Sequence, residues 1–212
     1  MRNIKIIGRG KYIPKYKVNN KYFSERFNVT EEYIYNVCGI ENRYYEKSKS
    51  IDDMAYEASK DAILNAKIEK EEIDLIIVAS CSSNKIMPGI SYLLQKRLDI
   101  NNCMCLDVLG GCSGYINAFD IARNYIAIGK VNNALIVGVD KLSSIVDEND
   151  LSTSILLGDG AGATIISNVE DKKIYVSNFK SEGQKSNLLT FETDKKLKME
   201  GIKIYKLSLI HI

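Results

Sequence analysis

DVLGGCSGYINAFDIA, residues 107–122, closes an apolar run with two glycines, sets down one cysteine and then takes up helical spacing. Ile116, Phe119, Ala122 and Ile126 recur at three- and four-residue intervals, and Gly129 stands where that helix should end. Strand, glycine turn and helix in this order form a corner of an α/β sheet. In open sheets of that kind, ligands and catalytic groups gather outside the carboxyl ends of the strands.

The flanking sequence repeats the strand signal. DLIIVAS (74–80), MCLDVLG (104–110), NALIVGVD (133–140) and AGATIIS (161–167) are short, apolar and rich in β-branched residues, as strands buried on both faces should be. A second helical pattern runs through Ile51, Met54, Ala55, Ala58, Ala62, Ile63 and Ala66, behind a capping box of Ser50 and Asp53. Strands accompanied by crossover helices predict an α/β fold, a mostly parallel mixed sheet with helices on both faces. With two prolines and no low-complexity linker, residues 1–212 read as one domain. From Asn168 onward the chain turns polar, and Lys172, Lys173, Lys180, Lys185, Lys195, Lys196 and Lys198 read as a solvated edge.

Composition removes several classes of function. Twenty-nine basic and 27 acidic residues, spread along the chain for a formal charge of +2, call for neither nucleic acid nor an anionic membrane as partner. No eighteen-residue apolar stretch and no signal-peptide core is present, which points to the cytoplasm. Five cysteines with one close pair, Cys103 and Cys105, argue for reduced thiols. That pair would share one face of a strand and suits a metal only if two further ligands converge, so no metal and no cofactor is expected. Cys38 and Cys81 read as packing residues.

Cys112 is the candidate for chemistry. Unpaired backbone N–H groups and the helix dipole favour an anionic sulfur at a helix start. Gly110, Gly111 and Gly114 permit a sharp turn and a close approach of a substrate carbonyl, whose oxyanion the Cys112 amide could hold. From the residues alone, a nucleophile and a small buried cysteine under a helix both remain open.

DVLGGCSGYINAFDIA, followed by ALIVGVDKLS and LLGDGAGATII and preceded by IIGRGKYIPKYKVNN, VTEEYIYNVCGIENRYY and IDDMAYEASKDAILNAKI, resembles the amino-terminal half of β-ketoacyl-acyl-carrier-protein synthase III. The resemblance covers nearly the whole chain and implies a thiolase-like fold, with the carboxyl-terminal half of that fold absent. It implies that Cys112 takes an acyl group from a thioester of acyl-carrier protein or coenzyme A, for decarboxylative condensation with malonyl-acyl-carrier protein in fatty acid or polyketide synthesis. It also implies dimerisation through the strand that resembles 104–110, or pairing with a carboxyl-terminal half. A histidine and an asparagine from that half stabilise the enolate in the family; the one histidine here, His211, has no family motif around it and reads as incidental.

Several positions depart from the family pattern. Tyr33 stands where coenzyme A users have a tryptophan, and Val37 and Leu151 where they have arginines, so a carrier-protein donor, or an acyl group delivered by a partner, is the expected substitute. Met87 occupies the place of a bulky residue that limits the acyl pocket; a flexible thioether there would admit a longer or branched chain, or would simply fill core space. Substrate contacts are thus expected at Tyr33, Met87 and Gly111. GDGAGA (158–163) looks like a phosphate loop but leads into a strand, and a strand offers no helix N-terminus to an anion. Two rival readings are an α/β-hydrolase with a cysteine nucleophile, whose amino-terminal segments fit poorly, and a non-catalytic partner subunit or inactive fragment of a condensing enzyme.

Overall fold

The computed structural model describes residues 3–170, 175–191 and 198–199. Its elements are β1 (Asn3–Tyr12), β2 (Tyr16–Asn19), α1 (Asn20–Phe27), α2 (Glu31–Cys38), β3 (Asn42–Tyr45), α3 (Ile51–Ala66), β4 (Leu75–Ala79), α4 (Ile90–Leu98), β5 (Met104–Val108), α5 (Gly114–Ala127), β6 (Asn133–Lys141), α6 (Leu151–Ser154), β7 (Asp159–Val169), β8 (Leu189–Thr190) and β9 (Lys198–Met199). The described residues fall into two compact units, one drawn from 3–13, 48–140 and 160–179 and one from 14–47, 141–159 and 180–199.

The first unit is built on a five-stranded sheet in the order β1-β7-β6-β4-β5. β4 runs parallel to both β5 and β6, and β1 pairs antiparallel with β7, so the expected mixed sheet forms. Every residue of β4 is buried, and its period of two splits them between two cores. Ile76 and Val78 meet Met54, Ala55, Ala58 and Ala62 of α3 and Leu94 and Leu98 of α4. Leu75, Ile77 and Ala79 meet Ala118, Ala122 and Ile126 of α5 on the other face. Fully burying one such side chain stabilises by roughly 1.5–3 kcal/mol, which is why β4 sits between its neighbours and not at an edge.

α3 begins at the capping box read from the sequence. The Asp53 amide donates to Ser50 Oγ at 3.2 Å, and the Ser50 amide donates to Asp53 Oδ2 at 2.9 Å. Small residues let this helix lie directly on β1: a Cβ at Gly10 would collide with the Ala58 carbonyl and the Ala62 amide. α5 ends as expected, with Gly129 at φ 77° donating its amide to the Ile126 carbonyl. α4 and the β2–β3 hairpin lack a strong period in the sequence and were not foreseen. β5 stops at Val108, two residues before the expected end, because Gly110 leaves extended geometry at φ −142°, ψ 16°.

The second unit holds the antiparallel β2–β3 hairpin with α1 and α2 inserted between its strands. Val18, Phe23, Ile34, Cys38 and Ile155 make its core. Buried Arg43 ties the unit together: Nε donates to the Ile155 carbonyl at 2.6 Å, Nη1 to Asn20 Oδ1 and Nη2 to Cys38 Sγ at 3.4 Å, with the guanidinium over the Phe23 ring. Lys180 and Lys185 are exposed, as the solvated-edge reading requires; Lys172, Lys173, Lys195, Lys196 and His211 lie outside the described residues. Among the described residues no helix is long and apolar enough to cross a membrane.

Candidate active site

Cys112 belongs to a short 3-10 turn, Gly111–Ser113, that joins β5 to α5. The sequence places it in the first turn of the helix, whereas α5 itself begins at Gly114. Each glycine of the turn has its own reason. Gly111 sits at φ 52°, a conformation other residues adopt at a cost. A Cβ at Gly110 would lie 2.9 Å from the Gly114 Cα and 3.1 Å from Asn117 Nδ2. A Cβ at Gly114 would touch that of Ala79, at 3.4 Å, so the start of α5 rests on the end of β4. The Ser113 amide and hydroxyl both donate to the Gly110 carbonyl, at 3.2 and 3.0 Å, and the Gly114 amide to that of Gly111. Cys112 is exposed in this chain.

The neighbouring strand end carries a second thiol. β4 pairs with β5 up to Ala79 opposite Val108, and the Ser80 amide still donates to the Val108 carbonyl at 3.4 Å. Asp140, from the far side of β4 near the end of β6, then gathers the next three residues. Its Oδ1 accepts from the Cys81 amide at 2.9 Å, Ser82 Oγ at 2.7 Å, Ser80 Oγ at 3.2 Å and Cys81 Sγ at 3.5 Å. Cys81 is therefore not the partnerless packing residue that the sequence suggests. Burial pushes its thiol up to about 12, aided by the Asp140 carboxylate and, to a smaller extent, by Cys112. Neither Asp140 nor the role of Cys81 was read from the sequence; the only signal was an acidic residue closing an otherwise apolar strand.

Met87 lies in the segment that leaves this end of the sheet, joined to Pro88 by a cis peptide bond. It is 84% exposed in this chain. Ile86 and Leu109 are equally open. From β5, Asp107 accepts the Ser91 amide at 3.1 Å and the Ser91 hydroxyl, and so holds the start of α4.

Gly111, Cys112 and Met87 belong to the first unit and Tyr33 to the second. The Tyr33 amide donates to the N-cap Thr30 Oγ1 at 3.0 Å, and its ring is 49% exposed. Val37 and Leu151, by contrast, pack against the core of their unit. In GDGAGA, Asp159 is buried and structural: its carboxylate accepts from the Glu46 amide at 2.7 Å, the Ser143 amide at 2.8 Å and Ser143 Oγ at 2.7 Å. Cys105 is buried in the core beneath α3 and α4, with Cys103 packed against it. Among the described residues no three or more His, Cys, Asp or Glu side chains gather as they would around a metal.

Residues 106–183, which include this turn, match the family described as 3-oxoacyl-[acyl-carrier-protein (ACP)] synthase III. A β-ketoacyl-[acyl-carrier-protein] synthase III of Staphylococcus aureus (strain Newman) is 38% identical over 207 residues, covering 96% of this chain and 66% of that protein. The one from Clostridium perfringens (strain 13 / Type A) is 38% identical over 193 residues, 91% of this chain and 60% of that protein. Among solved structures, the 3-oxoacyl-[acyl-carrier-protein] synthase III of Aquifex aeolicus VF5 superposes with a TM-score of 0.88 at 38% identity, over 93% of this chain and 65% of that one. The priming β-ketosynthase of the R1128 polyketide pathway superposes with a TM-score of 0.90 at 27% identity, over 94% of this chain and 64% of that one. The chain thus spans just under two thirds of the length of these relatives.

Proposed function

The chain belongs to the β-ketoacyl-[acyl-carrier-protein] synthase III family, with its thiolase-like α/β fold, and from that premise we propose that Cys112 takes an acyl group from a thioester for decarboxylative condensation with malonyl-acyl-carrier protein. The observation that supports this reading most is the exposed thiol on a glycine turn, at the carboxyl ends of two parallel strands.

The chemistry runs in two halves. The Cys112 thiolate attacks the acyl carbonyl and forms a new carbon–sulfur bond; the oxyanion draws on the Cys112 amide, since those of Ser113 and Gly114 are engaged within the turn. Collapse of the adduct breaks the old carbon–sulfur bond and expels the carrier thiolate, which takes up a proton. In the second half, malonyl thioester loses carbon dioxide, its carbanion attacks the acyl-Cys112 carbonyl, and the β-keto product leaves Cys112 as thiolate. That half needs donors to the enolate oxygen. The family resemblance assigns them to a histidine and an asparagine beyond the segments matched here.

Acyl-carrier protein is the donor favoured over coenzyme A. Val37 and Leu151 are committed to an apolar core and offer no guanidinium to a nucleotide, while the half-exposed ring of Tyr33 still presents an aromatic face. Met87 bounds the acyl pocket with a flexible thioether and admits longer or branched chains. The working form is a cytoplasmic homodimer, or an assembly with a carboxyl-terminal half; the exposed apolar side chains of Ile86, Met87 and Leu109 support the association.

Mass spectrometry of the chain after incubation with an acyl-carrier-protein thioester should find the acyl group on Cys112 and nowhere in Cys112→Ala. Malonyl thioester added next should yield no β-keto product from these 212 residues alone. An unmodified Cys112, or an adduct on another cysteine, would refute the assignment and leave the reading of a non-catalytic partner subunit.

A further inference from the structure

We propose that Cys81 is the resolving thiol for Cys112: on oxidation by a hydroperoxide, the two residues join in an intramolecular disulfide that protects the nucleophile from irreversible oxidation. The proposal rests on the reading of Cys112 as the reactive thiol, and adds to it a modification site shared with Cys81.

Three contacts bring the residues to one place. β4 and β5 are adjacent and parallel, and they end together at Ala79 and Val108. The chain from β5 then folds back, so that Gly114 comes to rest on the Ala79 side chain and the Val108 carbonyl. Cys81 lies two residues after Ala79 and Cys112 two residues before Gly114, so the two cysteines flank one contact point. Asp140 fixes the nearer loop by accepting both the amide and the thiol of Cys81. The effect of Cys112 on the Cys81 thiol is the electrostatic sign of the same proximity.

The pair divides the labour that such chemistry needs. Cys112 is exposed and meets the oxidant; Cys81 is half-buried and its thiol is held in place by Asp140. The Cys112 thiolate attacks the peroxide, a sulfur–oxygen bond forms, the oxygen–oxygen bond breaks, and the departing alkoxide takes a proton and leaves as alcohol. Cys81 then attacks the sulfenic sulfur and gives up its proton. The sulfur–sulfur bond forms and hydroxide leaves with that proton as water. Two thiols have lost two electrons and two protons, and one hydroperoxide has become alcohol and water.

Hydrogen peroxide added in slight excess to the full chain, followed by peptide mapping without reductant, tests this. A Cys81–Cys112 linked peptide that disappears on reduction is expected. In Cys81→Ser the link is lost, Cys112 is captured by dimedone as sulfenic acid, and continued peroxide drives it to sulfinic acid; Cys81→Ala should behave alike and guards against a folding defect. Asp140→Asn, which removes the carboxylate that favours the protonated Cys81 thiol, should speed linkage without changing the rate at which Cys112 is oxidised. A dimedone adduct on wild-type Cys112 with no linkage, or a link through Cys103 or Cys105 instead, would overturn the proposal. Prior alkylation keeps the two ideas apart: if iodoacetamide modifies Cys112 but peroxide forms no link, the resolving role alone fails, and if Cys112 resists both reagents the reactive-thiol reading fails with it.

Discussion

Alkylation of the five cysteines offers a graded test of the site. Iodoacetamide reacts with thiolate, so accessibility and ionisation together set the order. Cys112 is exposed, Cys38 and Cys105 are buried, and Cys81 and Cys103 lie between. A thiol titrating at about 12 is ionised to only about 3 × 10⁻⁵ at pH 7.5, against about 0.1 for an ordinary cysteine. The deficit in thiolate is therefore roughly 3,000-fold. A more basic thiolate is intrinsically more nucleophilic, by some 40-fold over this range, so Cys81 should react about 10²-fold more slowly than an ordinary exposed thiol. Quenched time points mapped by mass spectrometry should show Cys112 first. Cys103 should follow, because its contact with Cys105 holds its thiol below the usual value. Since burial and the Asp140 carboxylate both favour the protonated thiol, Cys81 labelling should climb about tenfold per pH unit from 7 to 10 with no plateau, and Asp140→Asn should raise it at any fixed pH in that range. Labelling of Cys81 as fast as Cys112 at pH 7.5 would refute this account of the site.

The turn glycines should separate by mechanism. Gly111→Ala meets no atom within 4 Å and should cost only the backbone strain of about 1–2 kcal/mol, seen as a lowered melting temperature, whereas Gly110→Ala must push the start of α5 away and should abolish acylation of Cys112. Ser50→Ala removes the cap of α3 and should cost about 1 kcal/mol, or roughly 2–4 °C in thermal unfolding. Asp159→Asn leaves three donors sharing a weaker acceptor and should destabilise by about 3 kcal/mol in urea unfolding, with no change in the reactivity of Cys112 if its role is structural. Light scattering should find the chain self-associated, and Met87→Lys should shift it toward monomer if the apolar group at 86, 87 and 109 forms the contact.

Patterns confined to a few residues were legible in the sequence. The β-branched runs became β4, β5, β6 and β7, and Ser50 with Asp53 became a capping box, because apolar periodicity and capping act within one element or one turn. The glycine turn at Cys112 was legible for the same reason: φ 52° at Gly111 is a local demand that glycine meets. α1, α2 and the β2–β3 hairpin escaped because their apolar residues are few and their shape depends on Arg43, whose donors reach Asn20, Cys38 and Ile155.

By itself, then, the sequence determined the strands, the capped helices and the cysteine on its glycine turn, all set by the sterics and hydrogen bonds of neighbouring residues. Only the tertiary structure shows Cys112 and Met87 exposed in this chain and Asp140 gathering Ser80, Cys81 and Ser82. Those outcomes depend on strand order. Asp140 reaches Cys81 across nearly sixty residues because β6 pairs with β4, and no local preference of either segment encodes which strand lies next to which.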